Sequence, residues 1–156
     1  ALKEAENIFE IKSRHAMLKD HLERILEDAM DVNKDILFDK DRKPIAYLRM
    51  RRTQMRRIDR VHELITRMKG RHPYARVIAD YIGELSQDIG YQDKATDQLK
   101  RLDELLETFR AKPLPETRDA FEIRATLYQV LFELEALLED KTAFHETYGT
   151  LHSPSV

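Results

Sequence analysis

The chain has 156 residues, of which 42% are hydrophobic and 36% charged, and its formal net charge is -2 at pH 7. This length suffices for one domain with a hydrophobic core, and no apolar run in the sequence approaches the ~18 residues that span a bilayer. The absence of Cys excludes disulfide bonds and thiolate chemistry, and four Gly are too few for a Gly-rich phosphate-binding loop. We predict a single domain over residues 1–150 and a loose tail at 151–156.

A heptad pattern predicts a long first helix, from about Leu2 to about Leu37. The positions that carry the pattern are Ile8, Ile11, His15, Leu18, Leu22, Ile25, Ala29, Val32 and Ile36. At 1.5 Å per residue this helix would be roughly 50 Å long. We expect it to project beyond the rest of the domain or to continue from a preceding domain, since the chain begins at Ala1 within the helical pattern and without Met.

Proline and glycine residues mark the limits of the next three helices. Pro44 and Pro73 suit helix starts, because proline is tolerated in the first turn. Gly70 and Gly90 suit helix ends, because glycine adopts the left-handed conformation that terminates a helix. The three predicted helices cover about residues 44–69, 73–89 and 93–110.

The fifth helix is predicted to be the most apolar and the central one. The Pro113-Leu114-Pro115 segment breaks the chain before it, and Thr117 is a suitable N-cap. Two faces of this helix are apolar, one with Phe121, Tyr128, Leu131 and Leu138, the other with Ile123, Leu127, Val130, Leu134 and Leu137. A separate short helix or frayed turn is predicted over residues 141–148. The fold class is therefore all-α, an antiparallel bundle of four to five helices with a long N-terminal helix.

Positive charge is concentrated in the second helix. Residues 43–72 carry ten basic and two acidic side chains, while the segments on both sides are net acidic. We interpret this pattern first as ion pairing within the bundle together with a solvated face. A nucleic-acid partner is not expected, because the arginines are taken to lie around the helix rather than on one outward face. Attraction to anionic lipid headgroups is a third interpretation for a domain beside a membrane.

Polar side chains interrupt the apolar stripes of three helices. Gln54 and Arg124 lie between apolar neighbours, and Asn33 follows Val32 at the end of the first helix. Such groups must be paired when buried, so a structural network is one interpretation. The other is a pocket in which arginine forks bind a carboxylate and a tyrosine stacks on an aromatic ring. The candidate ligand-binding residues are Asn33, Arg49, Gln54, Arg124 and Tyr128, with Arg51 as an alternative to Arg49.

The sequence predicts no catalytic residue, no metal site and no cofactor, so an enzyme is not expected. Di-metal sites in helical bundles need repeated Glu-x-x-His motifs, and the nearest match is a single Asp59-x-x-His62. His15 lies on the apolar stripe of the first helix. We interpret it as a buried, hydrogen-bonded imidazole.

Three motifs resemble those of a known family. They are Tyr47-Leu48-Arg49-Met50-Arg51 with Gln54, Ile78-Ala79-Asp80-Tyr81, and Pro113-Leu114-Pro115 followed by Thr117-Arg118, Phe121-Glu122, Arg124-Ala125 and Leu127-Tyr128-Gln129. In this order and spacing, across residues 25–140, the chain resembles the C-terminal soluble domain of the putative aromatic acid exporter family. These are bacterial membrane proteins related to fusaric acid resistance exporters. Tyr128 stands where the family pattern has Phe, and the first helix is variable.

The resemblance implies a helical domain on the cytoplasmic face of the bacterial membrane, following a transmembrane domain that is its partner. The transport path would lie in that membrane domain. The function expected is that of a non-catalytic accessory or regulatory domain, which mediates oligomerisation or gating. The alternative is a sensing module that binds an aromatic carboxylate in the arginine- and glutamine-lined pocket. A homo-oligomer is a further expected partner.

Overall fold

The structure, a computed structural model, describes residues 6–7, 9–32, 43–68, 71–89 and 94–148. Five helices account for most of them, and two strands have only two residues each. The elements in chain order are β1 (Glu6–Asn7), α1 (Phe9–Val32), α2 (Lys43–Thr66), β2 (Arg71–His72), α3 (Ala75–Asp88), α4 (Lys94–Arg110) and α5 (Arg118–Tyr148). The predicted all-α helical bundle is confirmed. The predicted loose tail at 151–156 and Asn33 lie outside the described residues.

Neighbouring helices in the chain run in opposite directions. Between α1 and α2, His15 lies against His62 and Lys19 against Asp59, so residue numbers rise in one helix as they fall in the other. Helix α1 packs mainly against α3 and α2, whereas α5 packs mainly against α2 and α4. The prediction that the other helices surround α5 is therefore wrong, since the principal neighbour of α1 is α3.

The hydrophobic core runs through all five helices. Each helix contributes one stripe of aliphatic side chains, and α5 contributes the longest. Fully buried core residues include Ile11, Leu18, Leu22, Ile58, Val61, Ile78, Ile82, Leu102, Leu127, Val130, Leu131, Leu134 and Leu137. Phe121, which we placed on an apolar face of α5, is exposed instead.

The first helix begins later than predicted. Backbone hydrogen bonds pair β1 with β2 in antiparallel register, with Glu6 opposite His72 and Asn7 opposite Arg71. Helix α1 therefore starts at Phe9 rather than near Leu2. Its 24 described residues give a length of about 36 Å, and among the described helices α5, with 31 residues, is the longest.

The fifth helix is continuous through the segment that was predicted to be separate. Thr117 Oγ1 accepts a hydrogen bond from the Ala120 amide, so Thr117 is the N-cap as predicted. The helix then runs 31 residues to Tyr148. Lys141 and Phe144 are buried in its last turns, and this packing extends the helix beyond Leu138.

Among the described residues, no helix combines the length and hydropathy that a membrane span requires.

Candidate functional site

Two cations are buried where α2, α3 and α5 meet. Arg51 of α2 is 2% exposed and Lys141 of α5 is 3% exposed. Arg51 Nη1 lies 3.4 Å from the carbonyl oxygen of Ile89, and Lys141 Nζ donates to the same oxygen at 3.3 Å. Ile89 follows the last residue of α3, and the partial negative charge at a helix C-terminus stabilises cations.

Gln54 and Tyr47 complete this group, which we call the Arg51 cluster. The Arg51 guanidinium donates to Gln54 Oε1 at 2.9 Å and to the Tyr47 hydroxyl at 3.1 Å. Gln54 Nε2 donates in turn to the Leu137 carbonyl of α5 at 3.0 Å. The guanidinium also lies 5.2 Å from the centre of the Tyr47 ring. Both polar groups of Gln54 and two of the three guanidinium nitrogens of Arg51 thus have partners, as buried polar groups require.

Arg124 occupies a different place in the fold, at the connection between α4 and α5. Its guanidinium donates to the carbonyl oxygens of Pro113 at 2.7 Å and Phe109 at 3.1 Å, with that of Lys112 at 3.4 Å. It also lies 5.4 Å from the ring centre of Phe109 and 5.9 Å from that of Tyr128. Arg124 therefore stabilises the C-terminal end of α4 and fixes the turn into α5.

An aromatic cluster surrounds this arginine. The Phe109 ring meets those of Tyr128, Tyr74 and His72, with centre distances of 4.6, 4.9 and 6.2 Å. Burial lowers the pKa of His72, and the nearby Arg124 charge lowers it further. His72 Nδ1 accepts a hydrogen bond from the Tyr74 amide. Its neutral ring and this bond hold β2 against the start of α3.

The structure describes four of the five predicted ligand-binding residues, all but Asn33, and does not bring these four together. Arg49 is exposed, Gln54 is buried in the Arg51 cluster, and Arg124 and Tyr128 lie at the α4–α5 connection. Gln54 contacts α5 at Leu137, thirteen residues after Arg124, which is a separation of about 20 Å along the helix. A ligand the size of a benzoate cannot bridge that distance.

A groove between α1 and α2 is lined by several ionisable side chains. Its volume is about 390 Å³, and its lining includes the imidazoles of His15 and His62, the ammonium groups of Lys12 and Lys19, and Ile65. The two imidazoles are stacked with ring centres 6.1 Å apart. Acidic side chains also line it, so the groove carries both signs of charge.

His15 is buried in this groove without the hydrogen bond that we predicted. Its side chain is 1% exposed, and neither ring nitrogen has a hydrogen-bond partner among the described residues. The pKa of His15 is lowered from 6.5 to about 4, mainly because burial disfavours the charged ring. Repulsion from His62 and Lys19 also lowers this pKa, while the Ile58 backbone and the Asp59 charge partly oppose the shift. The ring is therefore neutral near pH 7, with one donor and one acceptor facing no protein partner.

Sequence reasoning missed Lys141 and the groove lysines, and it left Arg51 as an alternative to Arg49. The helical register contained a signal for Lys141, because that residue falls on the buried stripe with Leu134, Leu137 and Leu138. The sequence contained no comparable signal that Lys12 and Lys19 line a groove, because their place there depends on which face of α2 packs against α1.

Gln54 and Arg124 belong to the motifs that resemble the exporter family. A comparison with known proteins decides whether the chain is related to it. The sequence profile of the family described as "Putative aromatic acid exporter C-terminal domain" matches residues 1–142. The chain belongs to this family. It is thus a domain associated with an exporter, and the motif residues have structural partners in the bundle.

One curated relative is the uncharacterized protein YqjA of Bacillus subtilis (strain 168). It is 35% identical over 98 residues, which are 63% of this chain and 30% of YqjA. The exporter domain thus matches less than a third of that protein's length. No solved structure is significantly similar to the chain.

The described part of the chain contains no candidate metal site. No group of three or more His, Asp or Glu side chains there is arranged to hold a metal ion.

Removal of the Arg51 guanidinium should destabilise the domain strongly. Arg51→Ala leaves Gln54 Oε1 buried without its donor, so we expect the free energy of unfolding to fall by about 3 kcal/mol. Arg49→Ala, two residues away and exposed, should change it by less than about 0.5 kcal/mol. Urea unfolding followed by circular dichroism measures both values. Equal effects of the two variants would contradict the assignment of Arg51 as the buried partner.

His15 should make the stability depend on pH. Its pKa is lower in the folded state than in the unfolded chain, so the unfolded state binds more protons between pH 6.5 and about 4. The stability contributed by the neutral His15 is therefore fully present above pH 6.5. Below that value the free energy of unfolding decreases, by up to about 3 kcal/mol at pH 4. In His15→Leu this part of the pH dependence should disappear, while that from other groups remains. Denaturant unfolding at both pH values tests this, and identical pH profiles for the two proteins would refute it.

Proposed function

We propose that the chain is a non-catalytic accessory domain of an exporter and that it regulates transport by mediating oligomerisation. It would follow an N-terminal membrane domain and lie on the cytoplasmic face of the bacterial membrane. The family description, which refers to the C-terminal domain of an exporter, supports this arrangement. The 30% share of YqjA that the chain matches is consistent with a longer parent protein.

The observation that carries the oligomerisation proposal is an apolar stripe on α5 in which Phe121, Ala125 and Phe132 are exposed and Tyr128 is half-buried against Phe109. Phe121, Ala125, Tyr128 and Phe132 follow one another at spacings of four, three and four residues, which places them on one side of the helix. Phe121 is 56% exposed and Phe132 44% exposed. Leu114, in the turn before α5, is 78% exposed. We call Phe121, Ala125, Tyr128 and Phe132 the α5 stripe.

A second copy of the chain is the partner that fits this stripe best. The stripe is about 16 Å long, and an apolar row of this kind can pack against its own copy about a twofold axis. Contiguous exposed apolar surface of this type usually marks a protein contact. The turn that precedes the stripe is fixed by Arg124, so the contact surface is already ordered before association.

The oligomeric state of the chain tests this proposal. We expect the wild type to form a dimer and the double variant Phe121→Asp, Phe132→Asp to be monomeric at the same concentration, since two carboxylates would be buried in the contact. Light scattering coupled to size-exclusion chromatography gives the mass. Val77→Asp on α3 is the matched control, because Val77 is similarly exposed but lies outside the stripe. A wild type that is monomeric at all accessible concentrations would rule the proposal out.

A second candidate function, sensing of an aromatic carboxylate, is favoured by the groove between α1 and α2. Its volume of about 390 Å³ lies in the range of small-molecule sites. Lys12 and Lys19 would bind the carboxylate, and the stacked His15 and His62 rings with Ile65 would contact the aromatic body. The two ring nitrogens of His15 without protein partners are the observation behind this candidate.

Benzoate titration distinguishes the groove from the pocket predicted around Arg124. With wild-type protein, we expect saturable shifts in the NMR signals of His15 and His62. The double variant Lys12→Gln, Lys19→Gln should weaken binding at least tenfold, because it removes both cations, whereas Lys100→Gln on α4 should not. Loss of binding in Arg124→Ala with retention in the lysine variant would assign the site to Arg124 instead. No saturation with the wild type would exclude both sites for this ligand class.

A further inference from the structure

Four arginines of α2 share one outward side of the helix. Arg49, Arg52, Arg56 and Arg60 follow at spacings of three, four and four residues, and all four are exposed. We call them the arginine face. The expectation that the arginines of this helix lie all around it is therefore wrong for these four.

The remaining two arginines of α2, Arg51 and Arg57, contact other helices, and Arg57 forms part of the expected ion pairing within the bundle. Arg51 belongs to the Arg51 cluster. Arg57 is held by α5, where its Nε donates to Asp140 Oδ2 at 2.5 Å and its Nη1 lies 3.7 Å from Glu133. Glu133 and Asp140 of α5 thus neutralise Arg57 and form no ion pair with the arginine face.

Little negative charge balances the arginine face. Across the described ranges, no carboxylate lies within ion-pair distance of Arg49, Arg52 or Arg56, and Arg56 donates to the Thr53 hydroxyl instead. Arg60 pairs with Glu63 one turn away, and both side chains of that pair are exposed. The other carboxylate of α2, Asp59, pairs with Lys19 of α1. The face is therefore a solvated row of positive charge about 16 Å long.

We propose that the arginine face binds the anionic headgroups of a lipid bilayer and holds the domain against the membrane surface. This inference rests on the proposed attachment to a membrane domain. The guanidinium group binds phosphate oxygens through paired N–H donors, and a row on one straight helix presents its charges to a planar surface at the same depth. Single-stranded nucleic acid would use aromatic rings for base stacking, and Tyr47, the one Tyr, Phe or Trp residue of α2, is already engaged by Arg51.

Attachment to the membrane domain makes a weak attraction sufficient. Each arginine near an anionic bilayer strengthens binding by about fivefold, and headgroups are always at high local concentration for a tethered domain. The separate domain should therefore bind anionic vesicles weakly and with strong salt dependence, since the interaction is screened within a Debye length.

Vesicle sedimentation tests the proposal with the 156-residue chain. The vesicles consist of phosphatidylcholine alone or of phosphatidylcholine mixed with phosphatidylglycerol. We expect binding to the mixed vesicles only, and a loss of about 100-fold in partitioning for the triple variant Arg49→Gln, Arg52→Gln, Arg56→Gln. Added salt should abolish the wild-type binding. Thermal unfolding checks that the variant, which changes exposed residues, retains the wild-type fold.

A matched triple variant separates the arginine face from net charge. Arg76→Gln, Lys100→Gln, Arg110→Gln removes the same number of positive charges from exposed positions on α3 and α4. It should bind the mixed vesicles as the wild type does. An equal loss in both triple variants, or equal wild-type binding to neutral vesicles, would overturn the proposal. So would tighter binding to a mixed-sequence single-stranded RNA than to the mixed vesicles at the same ionic strength.

The failure of this inference can be told apart from failure of the oligomerisation proposal. Light scattering on the arginine-face variant should give the wild-type mass, because the α5 stripe is unchanged. Wild-type oligomers that do not bind anionic vesicles would refute the lipid contact alone. Vesicle binding by a monomeric wild type would refute oligomerisation alone.

Discussion

The arrangement of the bundle depends on two buried cations that share one carbonyl oxygen. Arg51 comes from α2 and Lys141 from α5, and both reach Ile89 at the end of α3. Burial removes water from a charged group at a large cost, so each cation needs oxygen partners at fixed positions. A shift of any one of the three helices along its axis would leave charge buried without such partners. The apolar core stabilises the bundle, and the Arg51 cluster fixes the relative positions of α2, α3 and α5.

The sequence was sufficient for the features that depend on local physics. Proline and an N-cap threonine mark helix starts through local geometry alone, and Thr117 caps α5 as expected. Gly70 and Gly90, predicted to end helices, lie outside the described residues. Burial of Gln54 also follows from its place between Met50 and Ile58. The start of α1 depends instead on a distant partner, because Glu6–Asn7 pairs with β2 as a strand and the helix begins after it. Heptad spacing contains no information about that pairing.

The predicted ligand pocket illustrates a different limit of sequence reasoning. Helical periodicity shows that Gln54 and Arg124 each face inward, but not which neighbouring groups they meet. Gln54 reaches the Leu137 carbonyl, whereas Arg124 reaches the carbonyls at the end of α4. Arg49 and Arg51 could have been separated, since at 100° per residue they lie on opposite sides of α2. Applied to the whole helix, the same rotation separates the arginine face from the buried stripe.

Because α2 and α5 are joined by polar contacts in register, their outward surfaces have a fixed relation to each other. Gln54 bonds the α5 backbone at Leu137, and Arg57 bonds Asp140 one turn further. A contact that changes the tilt of the arginine face against a bilayer must therefore turn the α5 stripe by the same angle. If both proposed contacts form in one exporter, association through α5 and the approach of α2 to the membrane are coupled through these pairs. That coupling needs no conformational change inside the bundle, because a rigid body transmits orientation directly.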